Sequence, residues 1–429
     1  MTFRSSLSLV FLMLAFLPGP SMVGGQDLNI PSNLTLENAM RLAVDRNPTL
    51  AAAQNEILAA EGDRIAAGKR PNPVFSLQFE DFPLTASPGP FFDIQEITSR
   101  VDYEIERGGR RQLRTQAATQ ALEARKHIYA DEVRRMLLRV QEAYCRIILA
   151  TSNLETSESI LGQVKRTIEV NKVRLKEGDI SALDLNRIEV ETLKFQDDVF
   201  QADLAVRNAK SSLLALLNAG DLSQDLDIAG TLAFDYQNSE SGPPPGAPLR
   251  DLIETALKQR PDLAAYLEAE KRADTEIRLQ RAYRSPNISV GAGYKRNLAD
   301  NAVVFGLTIP IKVFNRNEGE ILRAEAEQKR TGNLLSALRK DIQLEVQKAL
   351  NAVEVNRRRV EFIRTQQLRR AEETSLVTLQ SYNLGGATLI DYLDAQRTYR
   401  DALRIFNQAL FDERVSMYEL ASSVAQGVQ

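Results

Sequence analysis

The 429-residue chain has no tryptophan, one histidine, one cysteine and almost no net charge, with a formal balance of −3. Each shortage removes a class of chemistry. With Cys145 as the single cysteine, no disulfide can form within the chain. It lies in the helical pattern of Val140, Tyr144 and Ile147 and reads as a small packed apolar residue. The single histidine, His127, lies in the polar stretch EARKHIYADE with no cysteine nearby. The spacing of a zinc site is missing, and the ring reads as solvent-facing or packed between helices. The methionines form no cluster that would hold a soft metal. There is no glycine-rich phosphate loop, Ser-His-Asp set or HExxH, so the sequence predicts no enzyme, no cofactor and no resident metal. Without a basic excess, a nucleic-acid partner has no electrostatic support. Aromatic residues make up 6% and hydrophobic residues 43%, lean for compact cores, whereas 26% charged residues suit long solvated helices.

Long hydrophobic runs are also missing, with one exception. Leu7 to Leu17 (LSLVFLMLAFL) follows the positive Arg4 and precedes the small and turn-forming PGPSMVGGQ. That is the pattern of a cleavable secretory signal over residues 1–25, with no cysteine after it for a lipid anchor. Elsewhere no window approaches the ~20 apolar residues of a membrane-spanning helix, so any membrane insertion has to use strands.

What the chain does contain is a tandem repeat. LTLENAMRLAVDRNPTLAA (Leu34 to Ala52) matches APLRDLIETALKQRPDLAA (Ala247 to Ala265) at an offset of 213, which pairs Leu36 with Leu249 and Pro48 with Pro261 and still holds at Pro73 and Pro286. Later, EGDISALDL (Glu177 to Leu185) lines up with LGGATLIDY (Leu384 to Tyr392) at offset 207, pairing Gly178 with Gly385, Ser181 with Thr388 and Asp184 with Asp391. The first repeat covers 26–219, with a helix at 35–70, strands over 73–107 and helices at 110–177 and 180–218. A linker or equatorial surface segment with SGPPPG fills 220–246. The second repeat covers 247–429, with a helix at 247–284, strands over 286–313 and helices at 317–384 and 387–426.

The long helices carry a coiled-coil seam. Val133, Leu137, Val140, Tyr144 and Ile147, then Leu154, Leu161, Val164, Ile168 and Leu175 recur mainly in steps of three and four. Leu335, Leu338, Ile342, Val346, Ala349, Val353, Val360 and Ile363 do the same in the second copy. At ~1.5 Å per residue each long helix reaches roughly 100 Å. The two shorter helices of a copy sum to a similar length, which suits a wall in which one long helix lies beside two stacked short ones. A soluble coiled-coil rod remains the alternative on helices alone.

The strands favour the first. Phe75, Leu77 and Phe79 alternate with Ser76, Gln78 and Glu80; Ile97, Val101, Tyr103 and Ile105 alternate with Thr98, Arg100, Asp102 and Glu104. Ile288, Val290, Ala292 and Tyr294 alternate with Ser289, Gly291 and Gly293, and Val303, Phe305, Leu307, Ile309 and Ile311 with Val304, Gly306 and Thr308. One apolar and one polar or small face is the pattern of a membrane barrel wall, and also of a half-buried soluble sheet. Four strands cannot close a barrel around water, so a barrel requires several chains.

This duplicated plan of strands, long helix and tip turn resembles the TolC-like outer membrane efflux proteins over essentially the whole mature chain. PNPVFSLQFEDFPL (Pro71 to Leu84), YEIERGGRR (Tyr103 to Arg111) and DNAVVFGLTIPIKVFNRNEGEI (Asp300 to Ile321) resemble the CzcC-type branch, which serves heavy-metal efflux of the resistance-nodulation-division (RND) class. The resemblance implies a mostly α chain with a membrane β-barrel portion. Three copies, four strands each, would close a twelve-stranded barrel on a long α-helical coiled-coil tunnel. It implies the outer membrane of a Gram-negative-type cell as location, with the tunnel in the periplasm. It implies as partners a homotrimer, outer-membrane lipid, a periplasmic adaptor (membrane fusion) protein and an inner-membrane RND transporter. The function implied is a passive exit duct for heavy-metal cations. A duct for drug efflux or type I protein secretion is the alternative, and a secreted coiled-coil scaffold or adhesin is the reading from a different class.

At the tip, Gly178 and the Gly385-Gly386 pair can supply the positive φ that ends a helix. Ser181 and Thr388 stand as N-caps of the returning helices, with Asp184 and Asp391 in their first turns. Capping alone accounts for Asp184 and Asp391. It does not account for Asp394, on the same helix face as Asp391. In the family the residues matching Asp391 and Asp394 form acidic rings at the periplasmic constriction, which makes them gate candidates. Residues matching Tyr382 and Asp184 help hold the tip closed. Where the family can have a basic residue before Thr388, this chain has Ala387, so one closing link is expected to be missing or replaced. The first copy has Arg187 where the second has Asp394, which puts the paired acids in the second hairpin alone.

Overall fold

The computed structural model describes residue 30 and residues 33–80, 96–228, 230–232, 247–297 and 300–426. The signal segment, most of the 220–246 linker and the DFPL end of the first strand motif lie outside the described residues. Among those described, a two-residue strand β1 (Asn33–Leu34) precedes α1 (Leu36–Arg46), α2 (Pro48–Gly68), β2 (Val74–Glu80), β3 (Glu96–Ile105), α3 (Arg110–Glu177) and α4 (Ala182–Leu216). After β4 (Asp227–Ile228) the second copy runs α5 (Leu249–Gln259), α6 (Pro261–Ala282), β5 (Ile288–Asn297), β6 (Asp300–Thr308), α7 (Glu318–Phe362), α8 (Arg369–Asn383) and α9 (Leu389–Ser423). A π-helical stretch, Ile363–Leu368, joins α7 to α8 into one long rod.

Three differences from the sequence pattern have local causes. The helices expected at 35–70 and 247–284 are each two helices, broken at Asn47 (ψ 124) and Arg260 (ψ 123). Pro48 and Pro261 take the first helical position, lack an N–H and push the preceding residue out of the α region. The last strand, expected to run to 313, ends at Thr308, because Pro310 has no donor for the ladder. The 317–384 helix contains the π-helical stretch, which the steps of its apolar seam did not reveal. The β1–β4 pair, parallel with Asn33 opposite Asp227, ties the start of the linker to the start of the first copy.

Each long helix lies beside two shorter ones. Near the sheet α3 packs on α2 and α6, and further out on α4 and α9; α7 packs on α5, α6 and α9. The largest core, around Met136, Val140, Tyr144, Leu213, Leu217, Leu226 and Phe411, gathers α1, α3, α4 and α9 at mid-length. Cys145 is buried there, and burial pushes its thiol up to about 11.

The four long strands form one antiparallel sheet in the order β2-β3-β5-β6, so the two copies meet at β3–β5, with Val101 opposite Ala292. β2 and β6 are its edges. Phe75, Leu77, Phe79, Val101, Val303, Phe305 and Leu307 share one face and are exposed. On the other face Arg100 and Asp102 pair at 2.6 Å and lie across Gly291 and Gly306. A Cβ at either glycine would collide with one of them, and a Cβ at Gly293 would meet the Ser99 carbonyl. The glycines are the space into which the ion pair folds. No helix among the described residues is long and apolar enough to cross a membrane.

Candidate functional site at the hairpin tips

The two helical hairpins, α3–α4 and α8–α9, end alike because both turns use the same chemistry. Gly178 (φ 85) follows α3, its N–H donating to the Leu175 carbonyl at 3.1 Å while the Asp179 N–H donates to Arg174 at 2.8 Å. After α8, Gly385 (φ 80) donates to Tyr382 at 3.1 Å and Gly386 to Ser381 at 2.8 Å. A side chain at Gly178 or Gly385 would be strained by the left-handed backbone. Gly386 does not adopt positive φ; a Cβ there would come within 3.0 Å of Ser381 Oγ.

Both returning helices start with a cap. The Asp184 N–H donates to Ser181 Oγ at 3.1 Å, and the Ser181 hydroxyl donates to Asp184 Oδ2 at 2.7 Å. The second is a full capping box: the Asp391 N–H donates to Thr388 Oγ1 at 3.3 Å, and the Thr388 N–H and hydroxyl donate to Asp391 Oδ2 at 2.9 and 2.6 Å. The Thr388 hydroxyl, aided by its N–H, holds the Asp391 carboxyl below the usual carboxylate range. Within one chain Asp391 is therefore a cap. It is also exposed, as is Asp394, while Tyr392, Leu393, Ala395 and Gln396 are buried. The face carrying the two aspartates is turned away from the chain's own packing. Among the described residues the Asp394 carboxylate pairs with Arg397 alone, at 3.7 Å.

Tyr382 behaves differently from Asp184, and the two are not brought together within the chain. Tyr382 is buried, its hydroxyl donating to Asn171 Oδ1 on α3. Its ring stacks on Tyr392 at 6.0 Å and 15°, and the Arg174 guanidinium lies 5.3 Å above it. Arg174 also donates to the Asn383 carbonyl at 3.2 Å, and Thr167 donates to the Tyr392 hydroxyl at 3.2 Å. Burial pushes the Tyr392 hydroxyl up. Ile160, Leu161, Val164, Phe195 and Leu393 complete this small core, and Ala387 packs on it. The position where a basic latch was missed is thus filled by packing. Further back, Arg397 pairs with Glu191 and Arg400 with Asp198, linking α9 to α4.

Asn171, Arg174, Thr167 and Tyr392 did not emerge from the sequence. For Asn171 a signal existed: it occupies the seam step between Ile168 and Leu175, where a polar residue in a coiled-coil core calls for a partner. Its partner, 211 residues away, had no signal. His127 joins no metal-holding group, and none of three or more His, Cys, Asp or Glu side chains occurs among the described residues.

Against known proteins, the family model described as outer membrane efflux protein matches residues 39–219 and 252–414. The cobalt-zinc-cadmium resistance protein CzcC of Cupriavidus metallidurans is 25% identical over 382 residues, 89% of this chain and 87% of that one. Among solved structures, the transmembrane channel CusC superposes with a TM-score of 0.78 at 17% identity, covering 91% of this chain and 92% of that one. The outer membrane protein VceC of Vibrio cholerae superposes with a TM-score of 0.76 at 17% identity, covering 92% and 97%. At these identities the structural matches speak for the fold.

Proposed function

The chain belongs to the outer membrane efflux protein family, and from that membership we propose that three copies form a passive exit duct for heavy-metal cations. The observation that carries the assembly is the sheet: one face apolar and exposed, with β2 and β6 as edges that pair with no further strand among the described residues. An open edge in lipid leaves backbone groups unsatisfied, and closure with the sheets of two further copies removes it. A second feature supports lateral packing. Leu183, Val190, Leu193, Phe200 and Leu204 on α4 are exposed at heptad-like spacing. The secreted coiled-coil reading gives way to family membership.

The cargo reading rests on the CzcC relative, whose name assigns it to cobalt, zinc and cadmium resistance. A periplasmic adaptor protein would grip the tip hairpins at the turns of Gly178, Ser181, Gly385, Gly386 and Thr388 and hand over cargo from an inner-membrane RND transporter. At the closed tip the exposed Asp391 and Asp394 of three copies would gather into acidic rings. These rings would repel anions and concentrate cations without a tight site, as a conduit requires. Tyr382 would hold the closed state, and Asp184, exposed at its cap, would face a neighbouring copy.

Two measurements test this. Folded, purified protein in planar bilayers should conduct, and Asp391→Ala with Asp394→Ala should raise closed-state conductance and weaken block by multivalent cations. Absence of any pore would refute the duct, and unchanged block would return both aspartates to surface duty. A deletion strain should become sensitive to cobalt, zinc or cadmium. Sensitivity to dyes and antibiotics alone would reassign the cargo to drugs.

A further inference from the structure

Below the end of β6 the chain keeps an apolar surface that none of the described residues covers. Ile309, Ile311, Val313 and Phe314 lie in six residues between Thr308 and the turn into α7, and Ile311 is 85% and Phe314 99% exposed. This is not a frayed stretch. The Lys312 ammonium donates to the Tyr283 carbonyl at the end of α6, the Val313 N–H donates to the Ile311 carbonyl at 3.1 Å, and Asn317 donates to the Gln280 carbonyl at 2.8 Å. Lys312 thus ties the segment, and Asn317 the turn after it, to the end of α6, while the apolar side chains stay exposed.

The surface is continuous with the exposed face of β6. Val303, Phe305 and Leu307 occupy alternate positions, and Ile309 and Ile311 continue them past the strand. From Val303 to Leu307 the strand rises only roughly 14 Å. A barrel's apolar band is ~25 Å tall. Carried on through Ile309 and Ile311, the apolar surface extends by up to roughly another 14 Å along the strand direction, toward that height. Exposed Arg284 and Arg316 flank it, placing cations where phosphate groups of a leaflet would lie.

We propose that Ile309 to Phe314 is an interfacial anchor that inserts into the phospholipid leaflet on the helical side of the membrane and completes the lipid-facing band of β6. The inference rests on the barrel reading above. It assigns to this stretch a membrane contact rather than a role as a plain connector from strand to helix.

The chain has no tryptophan, so a single introduced indole reports its own surroundings. Full-length Phe314→Trp and, as reference on the strand itself, Phe305→Trp would be reconstituted into phosphatidylethanolamine–phosphatidylglycerol vesicles whose acyl chains carry bromine near the headgroup or near the chain end. The expected result for Phe314→Trp is blue-shifted emission, quenched more by bromine near the headgroup than by bromine near the chain end. Quenching of Phe305→Trp without quenching of Phe314→Trp overturns the anchor and leaves the barrel standing. Red emission at Phe314→Trp would then place the segment in water, and blue emission would place it against a second copy of the chain. If neither indole is quenched in folded protein, the barrel reading fails and the anchor with it.

Discussion

Replacing Tyr382 by phenylalanine removes one hydroxyl and leaves the ring. That hydroxyl donates to Asn171 Oδ1 between the two hairpins of one chain. Tyr382 is 7% and Asn171 0% exposed, so water cannot take its place. Stranding a buried acceptor costs about 1–3 kcal/mol. The stack on Tyr392 and the Arg174 contact both use the ring and should persist. If this contact holds the tip closed, the open population should rise about fivefold to more than a hundredfold, at tenfold per ~1.4 kcal/mol. Single-channel recording in planar bilayers reads that population directly. Asn171→Leu should open the tip as well, because it strands the tyrosine hydroxyl in turn. Tyr382→Phe with Asn171→Leu, which removes both polar partners, should close the tip again toward wild type. Equal open fractions in wild type and Tyr382→Phe, in protein with an unchanged melting profile, would refute the latch. So would a double variant more open than either single one.

Two further predictions concern charge. Arg260, with a side chain 3% exposed, pairs with Asp262 and Glu345 at 2.7 Å each and donates to the Ser423 carbonyl at 3.2 Å, anchoring the end of α9. Burial alone would push the Asp262 carboxyl up, and Arg260, with Arg134 and the Leu263 N–H, more than offsets it. Arg260→Met should therefore cost about 3–5 kcal/mol in thermal unfolding, and adding Asp262→Asn should recover part of that loss. At the tip, the capping hydrogen bonds depress the Asp391 carboxyl below its ordinary 3.8. A depressed carboxyl stabilises the helix start at pH above 3.8 and loses that contribution as pH falls through its folded value. Cation block should accordingly hold down to about pH 4. A midpoint above about pH 5 would mean that crowded carboxylates in the assembly outweigh the caps.

Much of the architecture was legible because it follows local rules. The boundaries of α3, the caps Ser181 and Thr388 and the reversal at Gly178 and Gly385 each depend on a few neighbouring residues. The helix breaks at Asn47 and Arg260 were missed, although Pro48 and Pro261, which cause them, were in plain view as repeat markers. The π-helical stretch at Ile363–Leu368 was not legible, because one wider turn leaves no change of residue type. At the site, Asp391 and Asp394 could be placed on one helix face from spacing alone. The partner of Tyr382 could not, and neither could the use of Gly291 and Gly306 as room for Arg100 and Asp102.

By itself the sequence determined the duplication, the order of helices and strands, the apolar face of the sheet and the chemistry of the tip turns. Each is encoded by periodicity or by a residue whose backbone preference acts within a turn or two. Only the tertiary structure decided what those elements do to one another. It showed that Asn171, not Asp184, takes the Tyr382 hydroxyl within the chain, that Asp391 is tied into its cap while Asp394 is exposed beside Arg397, and that Ile309, Ile311, Val313 and Phe314 stay exposed past the end of β6. Those outcomes depend on which helices lie side by side, and pairings across some two hundred residues of sequence leave no periodic trace along the chain.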